Sequence, residues 1–64
     1  MRIDRIKLAC EMARRDLNGK QLGEKAGLSR VTITAVKSGK SCSAVTAMKL
    51  ASALGIPVEE LVER

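Results

Sequence analysis

The chain contains no histidine and no aromatic residue, and it has only two cysteines and one proline among its 64 residues. Histidine is the commonest general base and metal ligand in proteins, and two cysteines by themselves cannot complete a tetrahedral zinc site. Without Phe, Tyr or Trp the chain cannot build the stacking platforms on which single-stranded nucleic-acid binders depend. We therefore expect no enzymatic activity, no metal centre, no bound cofactor and no single-strand recognition.

Long apolar runs are also missing. The longest is Leu8-Ala9-Cys10, whereas a membrane span needs about 20 apolar residues and the apolar core of a signal peptide needs about 7. We therefore expect no membrane partner, a cytoplasmic location and reduced thiols at Cys10 and Cys42. A chain of 64 residues is expected to form a single domain over residues 1–64 with a thin core, since it buries only about 60% of its unfolded surface.

Positive charge is abundant and unevenly placed. The 12 basic residues outnumber the 7 acidic ones, and the isoelectric point is about 9.8. No acidic residue lies between Glu24 and Glu59. Such a stretch is either a solvated face that keeps the protein soluble or a surface that binds phosphate backbones. The segregation favours polyanion binding, and the basic residues of the stretch are Lys25, Arg30, Lys37, Lys40 and Lys49.

Hydrophobic spacing and capping residues predict an all-α fold of five short helices. The first predicted helix covers about residues 3–15, and its apolar stripe is expected to be buried. Asn18 is a suitable N-cap for a second helix over residues 19–26, with Gln21 completing a capping box. The stripe consists of Ile3, Ile6, Cys10, Ala13 and Leu17.

The third predicted helix, residues 30–38, follows a tight turn. Gly27 can take the left-handed conformation that ends a helix, and Ser29 is the next N-cap. Ile33 and Val36 are expected to face inward. The mid-helix Gly23 predicts a close approach of this helix beside Ile33.

Two further helices complete the prediction. Ser43 should cap a fourth helix that ends at Gly55, and Pro57 suits the first turn of a short fifth helix. The expected inward residues of the fourth helix are Ala47, Met48, Ala51 and Leu54.

Two short helices joined by Gly27-Leu28-Ser29 make a helix-turn-helix if they cross steeply. Within residues 18–61 the chain also contains a set of short motifs: Leu22-Gly23, Ala26-Gly27-Leu28-Ser29, Ile33, Ser38-Gly39-Lys40, Leu50-Ala51 and Ala53-Leu54-Gly55-Ile56. With these motifs, residues 18–61 resemble the five-helix domain of the phage-repressor family (Cro/cI-type, or XRE-type), which implies a lambda-repressor-like bundle with its helix-turn-helix core at about residues 18–38.

The resemblance implies that the third helix enters the major groove of double-stranded DNA. Arg30 has the planar fork that pairs with guanine, and apolar groups nearby can touch a thymine methyl. The implied base contacts are Arg30, Val31, Thr32, Thr34 and Ala35. The implied phosphate contacts are Asn18, Gly19, Lys20, Gln21, Ser29, Lys37, Lys40 and Ser41.

Two departures from the family's pattern affect these assignments. Gly19 stands where a Gln commonly holds a phosphate, so only its backbone donor is left. Lys37 stands where a Glu commonly pairs with an Arg of the first helix, and here that Arg position is Met12. In one interpretation an apolar contact replaces the internal ion pair, and Lys37 is then available to bind DNA. In the other, Glu11 pairs with Lys37.

The resemblance therefore implies a sequence-specific DNA-binding transcriptional regulator, a repressor that binds a near-palindromic operator as a homodimer. The alternative is a protein-interaction module, such as the antitoxin of a toxin–antitoxin pair that also binds its own operator. A dimer interface and cover for the core are both open roles for the apolar residues near the C-terminal end, which are Ile56, Val58, Leu61 and Val62.

Overall fold

A computed structural model describes residues 1–63 of the chain. Over these residues the chain forms a bundle of five helices, as the sequence predicts, and its only extended pairing is two isolated bridges, Arg2 with Ser41 and Ile3 with Val62. The helices are α1 (Arg5–Arg14), α2 (Gly19–Ala26), α3 (Arg30–Lys37), α4 (Ala44–Leu54) and α5 (Val58–Leu61). No helix within residues 1–63 is long and apolar enough to cross a membrane.

The start of α2 and the turn after it confirm the local predictions. The Asn18 side chain accepts a hydrogen bond from the Gln21 N–H at 2.8 Å, and the Gln21 side chain accepts one from the Asn18 N–H at 3.0 Å. Gly27 ends α2 with a left-handed φ of 70°. Ser29 then caps α3 through the Thr32 N–H at 3.2 Å. Since each of these interactions spans only a few residues, local sequence suffices to predict them.

The beginning of the chain departs from the prediction. Ile3 is not helical but extended and wholly buried, and it forms its bridge with Val62. Asp4 caps α1 instead, because its side chain accepts hydrogen bonds from the Ile6 and Lys7 N–H groups. The first helix therefore begins at Arg5, later than expected.

The predicted inward stripe of the first helix is wrong for three of its five residues, whereas Ile3 is buried and Leu17 packs against the core. Ile6 is 75% exposed, and Cys10 and Ala13 are exposed as well. The buried apolar side chains of α1 are Leu8 and Met12, one helical turn apart. These two remove more apolar area from water than Cys10 and Ala13 would, so the helix is rotated to bury them.

A similar correction applies to α4. Met48 is 61% exposed, and Leu50 is buried in its place. The observed inward face follows i, i+3, i+4, i+7 spacing, and Met48 lies one residue out of phase with it. That face consists of Ala47, Leu50, Ala51 and Leu54.

The core is thin and lies where all five helices meet. Leu61 is completely buried, and Ile56, Val58 and Val62 pack against the core, so these C-terminal residues serve as core cover. Pro57 is the N-cap of α5 rather than part of its first turn. The buried apolar residues are Ile3, Leu8, Met12, Leu22, Ile33, Val36, Ala47, Leu50, Ala51, Leu54 and Leu61.

Packing fixes α3 so that one side faces the bundle and the other faces solvent. Helix α2 packs against α3 and α4, and α1 packs against α3. A Cβ on Gly23 would lie 3.0 Å from the Leu28 carbonyl oxygen and 3.4 Å from Ile33 Cγ1, which confirms the close approach. Ile33 and Val36 are the inward residues of α3, as predicted.

Candidate nucleic-acid interface

The outward side of α3 carries the residues that the sequence predicts to contact bases. Val31 is 80% exposed although it is apolar, and Arg30 and Thr34 are exposed beside it. The first turn of a helix and the residues one turn later share a face, which brings these side chains together. A shallow cleft of about 380 Å³ is lined by Arg30, Val31, Thr34, Ala35, Ser38 and Lys40.

A second cleft joins α3 to the start of α2. It has a volume of about 410 Å³, and Arg30 and Thr34 line it as they line the first cleft. The structure thus places predicted base contacts and predicted phosphate contacts on one continuous surface. The residues lining this second cleft are Asn18, Gly19, Lys20, Arg30, Ile33, Thr34 and Lys37.

The start of α2 combines helix polarity with lysine charge. The capping box uses the N–H groups of Asn18 and Gln21, whereas those of Gly19 and Lys20 belong to the first turn, where no intrahelical carbonyl faces them. A Cβ on Gly19 would lie 3.7 Å from Lys37 Nζ, so the Lys37 ammonium group lies close to this helix end. Since the N-terminal end of a helix is itself positive, the arrangement favours an anion there.

The cations along this surface are not neutralised by neighbouring carboxylates. Every ion pair within residues 1–63 involves Glu11 or Glu63. In this part of the chain no carboxylate oxygen lies within 4.0 Å of the side-chain nitrogens of four interface cations. These four are Lys20, Arg30, Lys37 and Lys40, and their positive charge is available to a polyanion.

Other residues predicted for the site have structural tasks or lie outside the clefts. The Thr32 hydroxyl is 2.9 Å from the Ser29 hydroxyl, and both belong to the cap of α3. The Gln21 side-chain oxygen is used in the capping box. Ser41 forms its bridge with Arg2 and lines neither cleft. DNA contacts by these residues stay predictions.

An ion cluster surrounds the buried Glu11 of α1. Glu11 is only 3% exposed and pairs with Lys7 at 3.3 Å, Arg14 at 3.1 Å and Arg15 at 2.6 Å. The hydrogen bond from Arg15 is the main reason that the pKa of Glu11 falls to about 2. The predicted alternative of a Glu11–Lys37 pair is wrong, because i+3 and i+4 partners on the same helix take the carboxylate. Lys37 stays free to line the second cleft.

Arg5 is a cation that lies close to this surface, and sequence reasoning does not identify it. The Arg5 side chain crosses Gly39, the residue before Lys40: a Cβ on Gly39 would lie 3.1 Å from Arg5 Cδ. Arg5 and Gly39 are far apart along the chain, and no local pattern connects them. Only the folded arrangement brings Arg5 beside the loop that follows α3.

A comparison with family models agrees with this geometry. The model of the Cro/C1-type helix-turn-helix DNA-binding domain matches residues 7–64. The chain belongs to this family. The Cro/C1-type match covers residues 7–64, so it extends beyond the resemblance found at residues 18–61 and includes most of α1.

Solved structures include close matches to this Cro/C1-type domain inside larger chains. A point mutant of hydroxyethylphosphonate dioxygenase matches with a TM-score of 0.87 and 30% identity, over 100% of this chain and 14% of that chain. Native PhpD with cadmium matches with a TM-score of 0.84, 30% identity and the same coverage. The chain thus spans 14% of the length of these neighbours. A search of the curated proteins finds no match.

Proposed function

We propose that this chain is a sequence-specific double-stranded DNA-binding transcriptional regulator, and specifically a repressor, which places α3 in the major groove. The observation that carries the proposal is the continuous surface formed by both clefts. Exposed side chains of α3 lie at its centre, with unneutralised cations on either side. A duplex presents base edges between two phosphate backbones. On this surface the side chains of α3 would face the base edges, and the cations on either side would face the two backbones.

Base reading is assigned to the first two turns of α3. The Arg30 guanidinium can donate two hydrogen bonds to guanine O6 and N7. Val31, Ala35 and the methyl group of Thr34 form an apolar patch next to it, which suits a thymine methyl. Thr32 is a weaker base contact in this assignment, because its hydroxyl already interacts with Ser29.

Phosphate binding is assigned to both sides of α3. On one side the N–H groups of Gly19 and Lys20 and the lysine side chains at positions 20 and 37 surround the second cleft. On the other side Lys40 lines the first cleft, and Ser41 follows it. Asn18, Gln21 and Ser29 stabilise the starts of α2 and α3 through their caps. We propose that their remaining polar atoms also contact DNA phosphates.

Further parts of the proposal concern the whole protein. We infer a homodimer on a near-palindromic operator, a single DNA-binding domain over residues 1–64, a cytoplasmic location and no cofactor. Repression would follow if the operator overlaps a promoter, since a bound dimer excludes other proteins from the same stretch of DNA.

The proposed function does not include the dioxygenase activity for which one structural neighbour is named. The likeness involves 14% of their chains. This chain has no histidine, and residues 1–63 contain no group of three or more His, Cys, Asp or Glu side chains that could hold a metal ion. The shared part is better explained as a helix-turn-helix module.

Selection from a randomised duplex library tests the proposal. Duplexes enriched by the purified protein are compared with scrambled duplexes by fluorescence anisotropy at about 50 and 200 mM salt. We expect the enriched duplex to bind about a thousandfold more tightly than the scrambled one, with strong salt dependence for both. If no sequence is enriched, the regulator proposal fails, and the protein-interaction alternative is pursued by pull-down.

A further inference from the structure

Arg5 is held at the edge of the proposed DNA interface by a contact with Gly39. A Cβ on Gly39 would lie 3.1 Å from Arg5 Cδ, 3.6 Å from its Nε and 3.7 Å from its Cγ. Gly39 has a φ of 91°, a conformation that residues with a side chain rarely adopt. The glycine thus provides both the turn after α3 and the space across which the arginine stem lies.

Backbone pairing fixes this contact. The Cys42 N–H donates to the Met1 carbonyl at 2.7 Å, and Arg2 forms a bridge with Ser41. The Asp4 N–H donates to the Leu61 carbonyl at 2.9 Å, and Asp4 also caps α1. The first residues of the chain are therefore attached to the loop after α3 and to the end of α5, and the position of Arg5 beside Gly39 follows.

The charge of Arg5 has no acidic partner in the described part of the chain. No carboxylate oxygen of residues 1–63 lies within 4.0 Å of its guanidinium nitrogens. By contrast, the Arg2 guanidinium pairs with Glu63 at 4.0 Å. Arg5 thus adds an unneutralised positive charge next to Lys40, which lines the cleft on the outward side of α3.

We propose that Arg5 is a further DNA-backbone contact, which extends the phosphate-binding surface from Lys40 to the first turn of α1. This inference rests on the proposed function. A phosphate diester is the chemistry that fits, because a guanidinium fork can donate two parallel hydrogen bonds to its oxygens. The contact positions the domain on the duplex and reads no sequence.

The test compares Arg5→Gln with the wild type on the enriched and scrambled duplexes over a range of salt concentrations. Glutamine keeps most of the stem that lies on Gly39 and removes the charge. We expect weaker binding to both duplexes in equal proportion and a salt slope lower by about 0.9. Arg5→Lys should restore the slope. Lys49→Gln removes one charge from an exposed position on α4 and should leave the slope unchanged.

Methylphosphonate substitution locates the contact. Each phosphate of the enriched duplex is neutralised in turn, and we expect one position at which the wild type loses affinity but Arg5→Gln does not. If Arg5→Gln has the slope of Lys49→Gln, or if no such position exists, the inference is overturned while the proposed function stands. If the wild type enriches no duplex, the proposed function itself fails. Circular dichroism of each variant verifies that it is folded.

Discussion

At the scale of single residues, Arg30 and Val31 place opposite chemistries side by side at the start of α3. Arg30 offers a charged, planar set of hydrogen-bond donors, and Val31 offers an apolar group that is 80% exposed. Single exposed apolar residues are common on protein surfaces, so Val31 is a candidate contact because it lies next to Arg30 on the outward side of α3 rather than because it is exposed. A guanine next to a thymine is the base pattern that suits the two side chains.

The first prediction concerns Arg30. Arg30→Ala should reduce the discrimination between enriched and scrambled duplex by about 1 to 3 kcal/mol, because a bidentate pair with guanine is lost. Lys40→Ala is the matched control, and it should weaken both duplexes alike and lower the salt slope by about one. Anisotropy titrations measure both effects. Equal losses on the two duplexes for Arg30→Ala would identify Arg30 as a phosphate contact.

The second prediction concerns the methyl group that Val31 is expected to touch. Replacing thymine with deoxyuridine in the enriched duplex should weaken binding by about 0.8 kcal/mol, or about fourfold in Kd, since one buried methyl group is lost. Val31→Ala should remove most of this sensitivity. Val45→Ala, at an equally apolar and 61% exposed position on α4, should retain it. An unchanged Kd with deoxyuridine would contradict the contact.

The third prediction concerns the pH dependence of stability that Glu11 introduces. Its folded pKa of about 2 lies below the ordinary value of 4.5, so its contribution is present above pH 4.5 and is lost as the pH falls toward 2. Glu11→Gln should lower the Tm at neutral pH, because Lys7, Arg14 and Arg15 lose their carboxylate. The difference in Tm from the wild type should shrink as the pH falls.

Thermal unfolding followed by circular dichroism at a series of pH values makes that measurement. Glu24→Gln is the control, because Glu24 is exposed and has no ion pair within residues 1–63. Its difference in Tm from the wild type should be small at every pH. If the difference in Tm between Glu11→Gln and the wild type stays constant with pH, the charge of Glu11 does not contribute to stability.

At the scale of elements, the turn between α2 and α3 determines how α3 packs against α2. Gly27 provides a left-handed residue, and the Leu28 N–H donates to the Gly23 carbonyl at 2.9 Å. Gly23 itself lets Ile33 come close to α2. The helix-turn-helix thus depends on two glycines with different tasks, one conformational and one steric.

The fourth prediction concerns that turn. Gly27→Ala should lower the free energy of unfolding by about 1 kcal/mol, because an L residue in the left-handed region is strained. No atom lies within 4 Å of the added Cβ, so strain rather than collision is the cause. Gly27→Asn should lower the free energy of unfolding by a smaller amount. Gly19→Ala, whose Cβ would have ordinary contacts at 3.6 Å, should leave the free energy of unfolding unchanged. Urea unfolding measures all three, and equal stability of Gly27→Ala would contradict the strain.

At the scale of the whole molecule, the proposed function assigns groove reading to one helix of residues 1–63, α3, so one copy would read one stretch of major groove. In the proposed homodimer a second copy, related by two-fold symmetry, would read the other half of the operator. The completely buried Leu61 cannot form the interface between copies, and Ile56, Val58 and Val62 pack against the core. These three side chains are only partly buried, and Ile6 and Met48 are exposed apolar residues that are further candidates for a dimer contact.

The fifth prediction concerns stoichiometry. Enriched duplexes should contain an inverted repeat with half-site centres about 10 base pairs apart, to match one helical turn of DNA. Two chains should bind per duplex, and a duplex with one half-site should bind more weakly. Light scattering coupled to size-exclusion chromatography measures the ratio. One chain per duplex without an inverted repeat would contradict the homodimer.

Local sequence was sufficient for the helix-turn-helix itself. Asn18, Ser29 and Ser43 cap helices as predicted, and Gly27 and Gly55 end them. These signals depend on hydrogen bonds and backbone conformations within one or two turns, and nearby residues are enough to specify them. The family resemblance covers residues 18–61, and the family model matches residues 7–64.

Packing between distant segments decided the remaining features. Ile3 is extended because Val62 pairs with it, and Cys10 faces solvent because the larger Leu8 and Met12 are buried instead. Met48 faces solvent because it is out of phase with the buried face of α4. Gly39 accommodates Arg5, and α2 and α3 together form the cleft that Lys37 lines. Periodicity shows that a helix has an apolar side, but the choice of the buried side depends on the shape and size of what lies opposite, which is a property of the folded chain.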